Sequence, residues 1–300
     1  MGRGASGADR ARRRIFAAAA SSRRPDLRVI GVTQARYVVR GTPLFLKAPT
    51  FVRLASLRPS LVLFAFCLAQ IVAWTFAPTW THDAPPLDVV ESGMWGREWV
   101  LATYKHPAAP SWALELTRLA TGAIGWPAYL VSQFCVTATF VLVWRLGLDL
   151  FGEDDEGQGR ALAGVLLLAG LFYFSWPTPE FNHNVAKLPV YAAIAWLTWR
   201  ATTRGTWGWW AGLGLVCGAG LHVKYSVAVV VAISAAWILF DGGFLRRLAT
   251  PGPWIALALA ALAAAPQVWW LVGHDYMPFV YARSRAGHAL SSRPLASLGA

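Results

Sequence analysis

The chain has 300 residues, 56% of them apolar and only 14% charged. A soluble globule carries nearer a quarter of its residues charged, so this composition excludes an ordinary water-soluble domain. The formal charge of +12 is concentrated at one end: thirteen of the 27 basic residues, but only two of the 15 acids, lie at or before Arg58.

Residues 1–58 therefore read as a basic, disordered tail lying against anionic lipid on the inner side of a membrane. An Arg-rich arm for nucleic acid is the competing reading, but the chain beyond Arg58 has the pattern of membrane spans rather than of a nucleic-acid fold, so no nucleic-acid partner is expected. That remaining part is close to neutral and holds several windows of the roughly 17 to 25 apolar residues that cross a bilayer. Without water to satisfy the backbone, such windows are helices.

Seven spans are predicted within a transmembrane unit over 59–287: residues 60–80, 126–144, 161–177, 185–199, 207–221, 225–240 and 254–272. The fold class is thus all-α, a polytopic transmembrane helical bundle. The polar first loop, 81–125, is expected to hold amphipathic helices, with Trp95, Trp99 and Trp112 in the headgroup zone. The acidic linker 151–160 reads as a glycine-loosened, solvated loop. A polar end, 288–300, closes the chain. Cys67, Cys135 and Cys217 each sit in an apolar span and read as small packing residues.

An inner N-terminus puts Arg145, Arg160, Arg200, Arg204, Arg246 and Arg247 inside as well. Stretches 81–125, 178–184, 222–224 and 273–300 then lie outside, yet they carry Arg97, Lys105, Arg118, Lys224, Arg283 and Arg285, with Lys187 close by. An anionic ligand at the outer face is a physical reason to keep cations there.

The same stretches hold the candidate chemistry. Asp88 and Glu91 share a helical face at spacing i, i+3, which suits either paired acid–base work or a solvated cap. Lys105 and His106, ahead of Pro107, could hold a phosphate. Glu180, Asn182, His183 and Asn184 offer donors and acceptors for sugar hydroxyls, or form a polar turn. His222 and Lys224, with Tyr225 beside them, interrupt a long apolar stretch, and Tyr281, Arg283 and Arg285 come after the last span.

Taken in order, LDVVESGMWGREWVLATYKHP (87–107), PEFNHNVAKLPVYAAIAWLTWRA (179–201), GLGLVCGAGLHVKYS (212–226) and YMPFVYARSRAG (276–287) resemble the GT-C glycosyltransferases that use polyprenyl-phosphate sugars. These include the dolichyl-phosphate-mannose protein mannosyltransferases and the aminoarabinose transferases. Two departures stand out. Pro107-Ala108-Ala109-Pro110 replaces the usual Pro-Pro pair, and the chain stops at Ala300, where members of the group generally continue, so a truncated chain is expected.

The resemblance implies a multi-pass protein of the bacterial inner membrane that moves a sugar from a polyprenyl phosphate to a hydroxyl of a lipid, glycan or protein, with inversion. It makes Asp88 the general base and Glu91 its tuner or a sugar ligand. It assigns Lys105, His106, Lys224 and Arg285 to the lipid phosphate, and Glu180, Asn182, His183, Tyr225 and Tyr281 to sugar or acceptor. Some members bind a divalent cation; no ligand set for one stands out in the sequence. A transporter for a lipid-linked anion and a non-catalytic remnant remain the alternative readings.

Overall fold

The computed structural model describes residues 58–291, so the predicted basic tail, Arg58 apart, lies outside the described residues. Eleven α-helices make up the described chain: α1 Pro59–Thr81, α2 Leu87–Arg97, α3 Ala109–Thr121, α4 Gly125–Phe151, α5 Asp155–Ala169, α6 His183–Arg204, α7 Trp207–Gly220, α8 Val227–Phe240, α9 Phe244–Leu248, α10 Pro251–Gly273 and α11 Met277–Ser291. α1, α4 and α10 are each long and apolar enough to cross a membrane. α8 is equally apolar but has 14 residues.

The helix ends reflect local chemistry. The linker expected to be loose instead starts a helix. Asp154 caps α5 by accepting from Gly157 N at 2.8 Å, and Asp155 and Glu156 fill its first turn, where the helix dipole favours acids. The expected span 161–177 is not one helix either. α5 stops at Ala169, and a 3-10 turn over Phe172–Phe174 leads towards Pro177, which disfavours helix in the residue before it. Two short helices, α2 and α3, occupy the polar first loop, and Gly122 ends α3 in the left-handed conformation (φ 70°).

α4 is the hub. Its Val136 and Phe140 pack with Leu63 and Cys67 of α1, Leu162 and Val165 of α5 and Val185 of α6. Fully buried Gln133 joins neighbours through hydrogen bonds, accepting from Gln70 of α1 at 3.2 Å and donating to Thr178 at 3.1 Å. A bundle surrounded by lipid pairs its interior amides across helices, since no water reaches them. A second core joins Ile194 and Leu197 of α6 to Trp210, Leu213 and Cys217 of α7. A third, smaller one (Val89, Leu114, Ala128, Phe181 and Ala186) ties α2 and α3 to the bundle and seats the loop preceding α6.

α7 and α10 meet through small residues. Gly214 and Gly218 lie one helical turn apart, and α10 presents Ala256 and Ala260 to them. A Cβ on Gly218 would stand 2.7 Å from Ala263 Cβ, closer than carbon atoms approach. Gly218→Val is accordingly expected to cost about 1–3 kcal/mol, read as a lower unfolding temperature in detergent; an unchanged temperature would show that the two helices can part without loss.

Near the other end of α4, about 35 Å from Gly125 by helical rise, Asp149 anchors a charged cluster. It pairs with Arg200, accepts from Trp196 Nε1 at 2.9 Å and lies 3.8 Å from Arg204. The Arg200 guanidinium also stands 5.4 and 5.0 Å from the centroids of Trp196 and Trp209.

Candidate active site

The site is assembled by two loops and one turn on the first-loop side of the bundle. Asp88 and Glu91 leave α2 one turn apart. The loop after α2 doubles back at Ala102–Pro107, where Thr103 Oγ1 accepts from the backbone N–H groups of Lys105 (3.3 Å) and His106 (3.1 Å). This hydroxyl-stabilised turn presents both side chains to α2. Lys105 Nζ donates to the two oxygens of Glu91 at 2.6 and 2.9 Å, and stands 5.9 and 5.7 Å from the centroids of Trp95 and Tyr104.

The second loop supplies Glu180, Asn182 and His183. Asn182 is the N-cap of α6: its Oδ1 accepts from Asn184 N (2.8 Å) and Val185 N (3.3 Å), while its Nδ2 donates to Asp88 Oδ2 at 3.3 Å. Buried His183 donates from Nε2 to the Pro107 carbonyl at 2.8 Å, which fixes its tautomer, and its ring lies 4.2 Å from that of His106. The turn between α7 and α8 then delivers Lys224, held in place by Ala109 N donating to the His222 carbonyl at 3.0 Å. Lys224 donates to Asn184 Oδ1, and Lys187 donates to that same oxygen at 3.3 Å. Neither ammonium has an ion-pair partner among the described residues.

These groups enclose a polar cavity of about 130 Å³, lined by Asp88, Glu91, Ser92, Trp95, Lys105, His106, Asn182, His183, Asn184, Lys224 and Tyr281. Eight of the eleven residues to which the resemblance gives a role form its wall: Asp88, Glu91, Lys105, His106, Asn182, His183, Lys224 and Tyr281. Glu180 lies just behind, against the Asp88 backbone N–H. Tyr225 points elsewhere, accepting from Gln267 at 2.8 Å and packing on Phe279. Arg285 is exposed and outside the lining, one turn beyond Tyr281 on α11.

The electrostatics are set by burial and neighbours. Burial pushes the Lys224 ammonium down to about 8, with Lys187 adding repulsion and Asp88 partly restoring it. His106 is lowered by burial and then by Lys224 and Lys105, so it is a neutral imidazole at pH 7. Lys105 is held above its usual range by its hydrogen bond to Glu91. Burial, reinforced by Asp88, raises Glu180.

A divalent ion does not fit these residues. Of the two carboxylates acting on His106, Glu91 has both oxygens on Lys105, and no group of three or more His, Cys, Asp or Glu side chains gathers among the described residues.

Sequence reasoning missed Thr103, whose hydroxyl shapes the loop, and gave no role to Ser92. A threonine two residues before a Lys-His pair in a short loop was the available signal for Thr103.

Known proteins share this arrangement of segments. The sequence profile of the family described as dolichyl-phosphate-mannose-protein mannosyltransferase matches residues 105–270. The chain is 28% identical over 225 residues to the lipid A galacturonosyltransferase RgtD of Rhizobium johnstonii, covering 72% of this chain and 43% of that protein. It is 28% identical over 171 residues to the undecaprenyl phosphate-alpha-4-amino-4-deoxy-L-arabinose arabinosyl transferase of Erwinia tasmaniensis, covering 55% and 30%. Against the transferase of the same name from Serratia proteamaculans it is 25% identical over 212 residues, covering 67% and 38%. The alignments thus span less than half the length of these relatives. No solved structure matches. With more than half of its residues, most of the cavity wall among them, inside the matched profile, the chain belongs to the dolichyl-phosphate-mannose-protein mannosyltransferase family.

Proposed function

We propose that this chain is an integral membrane glycosyltransferase that moves a sugar from a polyprenyl-phosphate donor to an acceptor hydroxyl, with inversion, at the outer face of a bacterial inner membrane. The observation that carries the reading is the pairing, in one small polar cavity, of the Asp88 carboxylate with an ammonium, Lys224, that has no acid of its own among the described residues. Three relatives are named for transferring sugars, two of them from undecaprenyl phosphate and one to lipid A, which supports a lipid-linked donor and a lipid acceptor here.

In the proposed step the acceptor oxygen attacks the anomeric carbon from the face opposite the phosphate. Asp88 takes the hydroxyl proton, and the bond from carbon to phosphate oxygen breaks with its electron pair leaving on the lipid phosphate. Lys105 is already neutralised by Glu91, and His106 is uncharged, so neither brings a free positive charge to the leaving group. Lys224 and Lys187, sharing one amide oxygen, do. His106 contributes a neutral hydrogen bond, and Glu91 holds Lys105 in the wall. Apolar surface between the helices buries the prenyl chain, at about 0.8 kcal/mol per CH₂.

The test uses the protein in proteoliposomes with a radiolabelled polyprenyl-phosphate sugar and lipid A as acceptor. Label is expected on the acceptor; label that only changes leaflet would overturn transfer in favour of lipid transport. Lys187→Ala and Lys224→Ala are each expected to weaken donor binding roughly tenfold, the worth of one charge-assisted hydrogen bond. Because Lys224 loses its proton near pH 8, donor affinity is expected to hold below that pH and to fall as pH rises through it. Affinity that stays level up to about pH 10, near the ordinary lysine value, would remove Lys224 from the phosphate seat.

A further inference from the structure

We infer that Asn182 is a positioning residue for Asp88: by capping α6 with its carbonyl oxygen, it is left with only its amide nitrogen to offer, and that nitrogen holds one carboxylate oxygen of Asp88 so that the other faces the cavity. The inference rests on the proposed function for its consequence in turnover, but not for its geometry.

An asparagine amide can normally turn over, exchanging donor for acceptor. Here it cannot do so without loss. Oδ1 accepts from two backbone N–H groups at the start of α6, at 2.8 and 3.3 Å, and an inverted amide would set its NH₂ against both donors. Nδ2 is therefore directed outward, and its partner is Asp88 Oδ2 at 3.3 Å, across 94 residues of sequence. The helix start thereby acts as a jig, since the rigidity of α6 is passed through one side chain to a carboxylate on a different helix. Both polar atoms of the Asn182 side chain are thus engaged with protein.

The other groups facing Asp88 act both ways. Glu180, from the loop before α6, repels it; Lys224, from the turn before α8, and His106, from the first loop, also lie within its field. Glu91, one turn along α2, is neutralised by Lys105.

The test replaces Asn182 by residues that keep the cap. Asn182→Ser retains a good N-cap but cannot reach Asp88; Asn182→Asp retains the cap and turns a second carboxylate towards it. The full chain, labelled with carboxyl-13C aspartate in lipid nanodiscs, is read by NMR at neutral pH, the Asp88 signal being assigned by its loss in Asp88→Asn. That signal is expected to move in both variants, since each removes the hydrogen bond from Asn182 Nδ2 to Asp88 Oδ2. Both should melt at the wild-type temperature and turn over roughly tenfold more slowly at neutral pH, with donor KM unchanged.

A purely capping role predicts the wild-type Asp88 signal in both variants, and that result overturns the inference. The two readings fail separately. Signals that move while Asp88→Asn still transfers sugar would keep the positioning and remove the general base. A dead Asp88→Asn with unmoved signals would do the reverse.

Discussion

Asp88→Asn is expected to lower sugar transfer by roughly 10²–10⁴-fold, the range a positioned general base contributes, while leaving donor affinity and thermal stability unchanged. The separation comes from where the residue sits. Asp88 is exposed at the start of α2, and its described side-chain contact is a single 3.3 Å hydrogen bond from Asn182, so an isosteric amide removes little packing. What disappears is the ability to accept a proton from the attacking hydroxyl. Single-turnover transfer with bound donor is the measurement, because it isolates chemistry from product release. A variant that transfers at the wild-type rate would remove Asp88 as the general base.

Asp149→Ala is expected to have the largest effect on stability, a loss of about 3–5 kcal/mol, because removing one member of a buried ion pair strands the other. The Asp149 side chain is 8% exposed and that of Arg200 13%, and the substitution would leave Arg200 and the Trp196 indole N–H facing a void. Asp149→Asn should lose less, since an amide oxygen can still accept from Trp196. The measurement is thermal unfolding in detergent with donor binding followed in parallel. His183 of the cavity wall and Arg200 stand about 25 Å apart along α6 by helical rise, so affinity per folded molecule should not change. Equal melting temperatures for the wild type and Asp149→Ala would show that the cluster contributes no net stability.

The difference between these two positions also shows what sequence can carry. Asp88 was legible because it opens a polar loop whose neighbouring residues, Glu91, Lys105 and His106, are themselves unusual in a chain so poor in charge. Asp149 was not, because a lone acid at the end of an apolar run looks like the start of the next loop, and its partner lies 51 residues away. The apolar helices were readable from their length alone, as α1, α4 and α10 are. α5 was displaced because its three capping acids were taken for solvated charge rather than for a helix start. Within the cavity, the sequence singled out most of the residues that line the wall but not who holds whom. Nothing in a spacing of 14 residues says that Lys105 grips Glu91, and that grip is why the proposed phosphate seat is placed at Lys224 and Lys187. Arg285 shows the converse limit, since a residue on the same helical face as Tyr281 can still fall one turn beyond the cavity's reach.

The glycine-to-alanine contact between α7 and α10 has a bearing on how a long isoprenoid could reach the cavity. Helices usually stand about 8–10 Å apart, with side chains filling the interval; here Gly214 and Gly218 bring one backbone against Ala256 and Ala260 of the other. His222 Nε2, bonded to the Ala263 carbonyl at 2.8 Å, continues that closure up to the turn bearing Lys224. No hydrocarbon tail can thread this seam, so an isoprenoid whose head rests at Lys224 must descend into the bilayer along a different side of the bundle.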